Sequence, residues 1–290
     1  MISHDDMLRY QSEKHPIINV ASFSSLEEYC LHIIHCKAYE EAAKKASGKT
    51  VLDYGCNIGY GTNILSKYCN YIIGVDISPK AIEKAKNLYG SDNIQFELVD
   101  GKKLPFRNNI FDLIVSYQVI EHIVDYESYF SEIKRTILPD GEFLLTTPNG
   151  KLRLDPGMKP WNPYHVREFT PFELKELLAM YFNNVKIYGL LAEEPIYSVE
   201  YNRILRARNA ARQQQKGIGR YYFLLRNFAK KKLPNSIYFI IKMIYDKINN
   251  NNIKPFKLNY DILLEYSPDK LFYSENELDK ALDLMAICKL

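Results

Sequence analysis

The chain has 290 residues, a formal net charge of +3, 47% hydrophobic residues and 25% charged residues. This is the composition of an ordinary globular protein, so it excludes collagen-like, disordered and disulfide-scaffold classes, and the length suits one large domain or one domain with an insertion. The five cysteines form no C-x-x-C pair, and the N-terminus lacks the apolar run of a signal peptide. We therefore expect a reduced, cytoplasmic protein without a structural metal site.

The charge is unevenly distributed along the chain. Residues 201–257 carry 14 lysines and arginines against one acid, and the rest of the chain is net acidic. Within this segment, residues 220–229 and 236–248 are typical of short cationic amphipathic helices. They fit a solvated cap, a lid over the substrate or a second subunit, or a peripheral patch on anionic lipid at the inner membrane face. Binding to nucleic-acid phosphates is a fourth interpretation, but nothing in the segment reads bases.

Taken in chain order, the elements begin with a helix over residues 26–46, marked by Ser24 or Ser25 and by Glu28 at capping-box spacing. From residue 49 onward, short apolar runs alternate with segments of helical period. The predicted strands are residues 50–52, 71–75, 94–98, 111–116 and 142–146. The predicted helices between them are residues 59–68, 78–88 and 126–137. This alternation predicts an α/β fold with a doubly wound, mostly parallel sheet.

The second half of the chain adds a helix over residues 172–181, a strand over residues 184–190 and a final strand from residue 281. We expect the final strand to return and pair antiparallel with residues 184–190, which completes a seven-stranded sheet. The basic stretch then becomes an insertion between two strands. The predicted units are an N-terminal helical cap, an α/β core in two parts, and a basic helical insertion, over residues 1–48, 49–193 with 272–290, and 194–271.

Glycines and acids follow several of the predicted strands. The turn after the first strand is rich in glycine, which lets the backbone approach a ligand closely, and a helix N-terminus with unpaired N–H groups comes next. Asp76 ends the second strand 23 residues after Asp53, where an acid can bind both hydroxyls of a ribose. Asp100 follows the third strand and Gln118 the fourth. All four positions lie at the carboxyl ends of strands, where open α/β sheets bind ligands.

These motifs together resemble the class I S-adenosylmethionine-dependent methyltransferases, over about residues 49–189. The resemblance rests on the D-x-G-x-x-x-G-x-G pattern that starts at Asp53, on Asp76, and on the segments Val99-Asp100-Gly101 and Ile120-Glu121-His122. A looser resemblance, over residues 147–170, is to members that accompany bacterial cell-surface glycan synthesis. Asn57 stands where many relatives have glycine, and asparagine tolerates a positive φ better than most residues.

The resemblance implies a Rossmann-like methyltransferase fold with S-adenosyl-L-methionine as cofactor and S-adenosyl-L-homocysteine as product. It also implies that the methyl acceptor is a small molecule or a glycan, methylated on a hydroxyl group. The implied cofactor-binding residues are those around the methionine part (Asp53, Gly55, Cys56, Gly59), the ribose (Asp76), the adenine (Ile77, Asp100, Gly101) and the passage to the acceptor (Gln118).

Two histidines are candidate catalytic residues. His122 aligns with the position that serves as general base in phosphoethanolamine methyltransferases, and His165 lies in the loop beyond the fifth strand. Each also has a purely structural interpretation, as a helix-start residue for His122 and as a hydrogen-bonding loop residue for His165. On the N-terminal helix, His35 or Tyr39 could touch the cofactor, because in similar proteins this helix closes over it.

Several other functions stay open at this stage. The chain could methylate nitrogen or carbon of a small metabolite or quinone. A nicotinamide-dependent oxidoreductase also uses a glycine turn and a distal acid. A non-catalytic module could keep the fold and use the basic insertion for membrane or partner contact. The Asn-Pro-Pro-Tyr type signature of enzymes that methylate nucleic-acid amino groups does not follow the fourth strand, and the oligomeric state is open.

Overall fold

The computed structural model describes residues 7, 8, 11, 12, 23–215 and 258–290. Its strands are β1 (Thr50–Tyr54), β2 (Tyr71–Asp76), β3 (Ile94–Leu98), β4 (Phe111–Tyr117), β5 (Ile137–Pro148), β6 (Asn184–Ala192), β7 (Leu271–Ser274) and β8 (Asp283–Lys289). Its helices are α1 (Leu26–Ala43), α2 (Tyr60–Ser66), α3 (Pro79–Tyr89), α4 (Tyr126–Thr136), α5 (Gly150–Arg153), α6 (Pro171–Ala179), α7 (Ile196–Gln215) and α8 (Tyr260–Glu265). The amphipathic helices predicted over residues 220–229 and 236–248 lie outside the described residues.

The strands form one sheet in the order β3-β2-β1-β4-β5-β8-β6-β7. In the half of the sheet with the order β3-β2-β1-β4-β5, all neighbouring strands are parallel. The strand β8 is antiparallel to both of its neighbours, β5 and β6. This confirms the doubly wound, mostly parallel sheet and the returning final strand. The predicted number of seven strands is wrong, because the sheet has eight in the part of the chain described. The additional strand, β7, has four residues and pairs antiparallel with β6, and so short a strand shows little apolar alternation.

The central strands are apolar because helices cover both faces of the sheet. Val51 and Leu52 on β1 and Leu113 and Ile114 on β4 are fully buried, as expected for parallel strands packed on both sides. One face of the sheet packs on an aromatic cluster that includes Phe130 of α4. Because β1, β2 and β4 are parallel, the loops that follow them open at the same edge of the sheet.

The N-terminal helix lies over the glycine-rich turn. Ser25 caps α1 by accepting from the Glu28 backbone N–H at 3.2 Å, whereas the Glu28 carboxylate accepts from the backbone N–H of Ser24 at 2.6 Å, so only half of the predicted capping box forms at Ser25. The Tyr39 ring packs on Gly61 of α2, where any Cβ would overlap the ring. A glycine at position 61 is therefore what allows α1 to approach the cavity described below. Among the described helices, none is both long and apolar enough to cross a bilayer.

Candidate cofactor and acceptor site

A cavity of about 340 Å³ opens at the carboxyl ends of β1, β2 and β4. Loops after these strands form its floor, and side chains from α1 and α7 contribute to its walls. The predicted site residues that line it are Gly55, Cys56, Asp76, Ile77, Gly101, Gln118, His122 and His165. His35 and Tyr39 of α1 also reach it. Most of the residues chosen from the sequence thus meet in one cavity, although their individual roles remain predictions.

Asp76 joins two loops at the cofactor end of the cavity. Its Oδ2 accepts a hydrogen bond from the Asn57 backbone N–H at 2.9 Å, and its Oδ1 accepts from the Ser78 N–H at 2.8 Å. Asn57 has a φ of +47°, the conformation that asparagine tolerates. Gly55 has a φ of +94°, and a Cβ there would overlap the Val119 side chain. The carboxylate thus lies in the cavity wall between a glycine turn and the start of α3.

Three predicted cofactor residues lie behind or beside this wall. Asp53 is fully buried, and it accepts hydrogen bonds from the Thr62 hydroxyl at 2.7 Å and the Tyr39 hydroxyl at 3.3 Å. Burial raises the pKa of Asp53 to about 7. Gly59 faces the Phe96 ring. Asp100 is exposed and accepts from the backbone of the residues that follow it, which lowers the pKa of its carboxyl.

The predicted adenine end is an apolar slot of the cavity that is lined by Leu8, Ile77 and Gly101. A Cβ on Gly101 would lie 2.8 Å from Leu8 Cδ2 and 3.1 Å from Ile77 Cγ2, so the close packing of these residues requires a glycine here. Gly101 also has a φ of +76°, which favours glycine. An apolar lining beside the Asp76 carboxylate suits a purine ring attached to a ribose.

Gln118 stands where the cavity turns from the cofactor end toward the acceptor end. It has a φ of +58°, unusual for a residue with a side chain. Its backbone N–H donates to the Thr146 carbonyl at 2.9 Å, and its side-chain amide donates to Asp283 Oδ2 at 2.9 Å. Burial raises the pKa of Asp283 to about 8. Asp283, the first residue of β8, therefore holds the side chain of Gln118, which is predicted to line the passage to the acceptor.

The two predicted catalytic histidines are neighbours. Their rings meet edge to face with centroids 4.9 Å apart. Nδ1 of His122 lies 2.8 Å from the Tyr164 carbonyl oxygen, which can only accept, so in the neutral ring the proton is on Nδ1 and the lone pair on Nε2. Burial lowers the pKa of His122 to about 4. His165 uses both nitrogens, with Nδ1 2.7 Å from Glu168 Oε1 and Nε2 2.9 Å from the Asn162 amide.

Sequence reasoning gave no role to Glu121, which lines the cavity beside these histidines. Glu121 is fully buried, and its Oε2 accepts from the Thr147 hydroxyl at 3.0 Å. Its Oε1 is buried without a hydrogen-bond partner among the described residues, as is the hydroxyl of Tyr117. Burial raises the pKa of Glu121 to about 7. In the sequence, Glu121 is part of the Ile120-Glu121-His122 segment that resembles the family. That segment does not show that the carboxylate of Glu121 is buried beside the cavity.

Two arginines missed by the sequence reasoning complete the acceptor end. Arg153 makes a two-bond ion pair with the buried Glu168, at 2.8 and 3.2 Å, and its guanidinium lies 4.0 Å from the Trp161 ring centroid. Arg203, on α7, pairs in the same way with the buried Glu200. Both arginines line the cavity. Arg153 and Glu168 are 15 residues apart and give no local sequence signal, whereas Glu200 and Arg203 have the i,i+3 spacing of a helical pair, which does not show that they face a cavity.

Glu121, His122 and His165 could also be considered as metal ligands, because one potential ligand atom of each lies within 4.8 Å of the others. Both nitrogens of His165 and Nδ1 of His122 are already used in hydrogen bonds. A metal ion would have to break the Asn162 or Glu168 contact of His165. In the structure, Glu121, His122 and His165 therefore form a hydrogen-bonding cluster.

Comparison with known proteins agrees with this geometry. Residues 52–145 match the family model Methyltransf_11, described as a methyltransferase domain. A probable S-adenosylmethionine-dependent methyltransferase of Mycolicibacterium smegmatis is 34% identical over 145 residues, which cover 50% of this chain and 55% of that protein. A probable tocopherol O-methyltransferase of Oryza sativa subsp. japonica is 32% identical over 113 residues, covering 37% of this chain and 31% of that protein. The chain thus spans about half the length of the first of these relatives.

The fold recurs in a protein with a different activity. The crystal structure of the [4+2]-cyclase SpnF has a TM-score of 0.51 and 16% identity to this chain, covering 88% of this chain and 81% of that one. At this identity the likeness shows the fold alone.

The strand-tip motifs, the sheet order and the sequence relatives agree: residues 52–145 match a methyltransferase domain, and together these findings support a class I S-adenosylmethionine-dependent methyltransferase. Its cofactor is S-adenosylmethionine, as the sequence predicted. The cavity fits this molecule, because the carboxylate of Asp76 and the slot at Gly101 and Ile77 match a ribose and its base.

Proposed function

We propose that this protein transfers a methyl group from S-adenosylmethionine to a hydroxyl group of a polar small molecule or a glycan. The observation that supports this most strongly is the continuity of one cavity, from the apolar slot at Gly101, past Gln118, to the polar cluster at Glu121 and His122. Bound there, the cofactor supplies an activated methyl group on a sulfonium. The chain's own contribution is to hold the acceptor in line with it, and such alignment is worth roughly 7–11 kcal/mol.

The acceptor end is polar, which favours an acceptor that carries hydroxyl groups. Arg153 and Arg203 each use one edge of the guanidinium for a glutamate, and both line the cavity, where further N–H donors can bind acceptor oxygens. His122 lines the cavity beside them and stays a predicted catalytic residue of this proposal. His165 is better suited to positioning, since both of its nitrogens bind neighbouring residues. An apolar quinone would leave these polar groups without partners.

The remaining sequence-based assignments are part of the same proposal. The cofactor-binding set from Asp53 to Gln118 and the three units of the chain stay as predicted. The link to cell-surface glycans depends on the looser motif over residues 147–170, and the cytoplasmic location depends on the cysteine pattern. Membrane contact through residues 201–257 depends on the basic charge of that segment, which lies mostly outside the described residues.

An acceptor screen tests the proposal directly. Purified protein is incubated with methyl-labelled S-adenosylmethionine and a panel of nucleotide sugars, lipid-linked saccharides, phenols, amines and quinols. We expect labelled methyl ethers from a hydroxyl-bearing acceptor, identified by mass spectrometry. Label found only on nitrogen or carbon would contradict the hydroxyl assignment. In parallel, calorimetry with S-adenosylhomocysteine and with NAD separates a methyltransferase from an oxidoreductase, and binding of NAD alone would overturn the proposal.

A further inference from the structure

Glu121 has the geometry of a group that receives a proton from a ligand. We propose that Glu121, rather than His122, is the general base of the reaction, and that its Oε1 takes the proton of the acceptor hydroxyl. This assignment rests on the proposed function and adds the residue that activates the acceptor.

The position of Glu121 is fixed on both its backbone and its side chain. It lies on the 3-10 turn Ile120–His122 directly after β4. Its carbonyl oxygen accepts from the backbone N–H groups of Val166 at 2.7 Å and Arg167 at 3.3 Å, and its Oε2 accepts from Thr147 at 3.0 Å. A side chain held this way cannot turn away from the cavity without losing the Thr147 bond.

The second carboxylate oxygen is the unusual feature. Oε1 is buried in the cavity wall, and the described part of the chain gives it no hydrogen-bond donor. Leaving a buried acceptor unsatisfied costs about 1–3 kcal/mol, and more when it is charged. An acceptor hydroxyl removes this cost by donating to Oε1 once the side chains that cover Oε1 in the cavity wall move aside, and it is then placed for proton transfer.

The pKa of Glu121 suits a general base better than the pKa of the neighbouring His122. General bases work best when their pKa lies near the operating pH. Burial raises the pKa of Glu121 to about 7, whereas burial lowers the pKa of His122 to about 4, which makes this imidazole a weak base. The ionisable groups that interact with the Glu121 carboxyl from the surrounding elements are His165 and Glu168 beyond β5, Asp283 on β8, and Tyr126 and Tyr129 on α4.

The step balances without any further reagent. The acceptor O–H bond breaks and its proton moves to Glu121 Oε1. The acceptor oxygen forms a C–O bond to the methyl carbon as the bond from that carbon to sulfur breaks, and the electron pair of the broken bond stays on sulfur. The products are a methyl ether, S-adenosylhomocysteine and a protonated Glu121, which releases its proton to water once the cavity opens.

Glu121→Gln is the decisive variant, because glutamine has the same shape and still offers an oxygen to the Thr147 hydroxyl. With the acceptor that the labelled screen yields, we expect kcat to fall by about 10²–10⁴-fold. The affinity for S-adenosylhomocysteine, measured by calorimetry, should be unchanged. Glu176→Gln, on the exposed face of α6, is the matched control and should keep the wild-type rate. A normal kcat in Glu121→Gln together with a loss in His122→Gln would overturn the assignment.

The pH profile gives a second and sharper test. The wild-type rate should rise with pH to a plateau with a midpoint near 7, because only the carboxylate accepts a proton. In Thr147→Val the midpoint should move to higher pH, since the Thr147 hydrogen bond holds the pKa of Glu121 down. A midpoint near 4, or a rate that falls as pH rises through 7, would assign the base elsewhere.

A spectroscopic titration needs no acceptor and separates the two proposals. The infrared difference between wild type and Glu121→Gln should show one carboxyl that ionises near pH 7. If that signal is missing, the assignment to Glu121 fails even when methyl transfer is found. If the wild type methylates nothing in the panel, the proposed function fails, whatever the titration of Glu121 shows.

Discussion

Replacing Asp53 by asparagine should make the protein more stable at neutral pH and leave it unchanged in acid. Burial raises the pKa of the Asp53 carboxyl from 3.8 to about 7, against the hydrogen bonds from Thr62 and Tyr39 that lower it. The unfolded chain therefore releases this proton near pH 4, and the folded chain keeps it until about pH 7. Stability is lost as pH rises between these values, by up to about 4 kcal/mol at 1.36 kcal/mol per pKa unit.

Asparagine has nearly the same shape, keeps an oxygen for the Thr62 hydroxyl and cannot ionise. We expect the unfolding free energies of Asp53→Asn and wild type to be similar at pH 4, and the variant to gain up to about 4 kcal/mol by pH 8. Urea unfolding at several pH values measures the difference. Asp140→Asn, at an exposed position of β5, serves as the control for the substitution itself. A flat difference for Asp53→Asn would mean that the carboxylate is ionised in the folded protein and would refute the reasoning.

Three further outcomes follow from contacts in the cavity wall. Asp76→Ala should weaken S-adenosylhomocysteine binding about 100-fold or more by calorimetry, because hydrogen bonds to a charged acceptor are worth about 1.5–3 kcal/mol each; an unchanged affinity would contradict the ribose assignment. Gly55→Ala should lower the melting temperature, since the residue has a positive φ and its Cβ would overlap Val119, and strain of this kind costs about 1–3 kcal/mol; an unchanged melting temperature would disagree with the turn as described. Arg153→Met should destabilise the protein by about 3–5 kcal/mol in urea, because Glu168 is left as a buried charge without its cation; adding Glu168→Gln should restore part of that loss, and a double variant as unstable as the single one would count against the ion pair.

The cofactor end could be predicted from the sequence because it is built from local signals. The strands up to β4 are apolar runs that end at glycine or aspartate, so their order places Asp76 and Gly101 at neighbouring strand tips. Asn57 was expected to accept a positive φ, and it has one. Asp53 shows the limit of this reasoning, since the pattern puts it in the motif while packing against Tyr39 and Thr62 puts its carboxylate behind the wall.

The acceptor end could not be predicted in the same way, because it is assembled from residues that are distant in the chain. Gln118 is held by Asp283, and Glu121 is held by Thr147. Neither pair has a helical or strand spacing, and the Gln118–Asp283 pair depends on β8 lying beside β5. Short edge strands such as β7 were missed for a related reason, since four residues carry too little pattern to identify a strand.

The difference between the cofactor end and the acceptor end of the cavity has a chemical consequence. The predicted cofactor end is determined by strand-tip geometry that belongs to the fold, and a [4+2]-cyclase has the same fold. The reaction must therefore be decided by the groups that face the second molecule in the cavity. In this chain the group among them with an unsatisfied buried oxygen and a pKa near neutrality is Glu121. A carboxylate placed there favours an acceptor that must lose a proton as it is methylated, which is the requirement of a hydroxyl group.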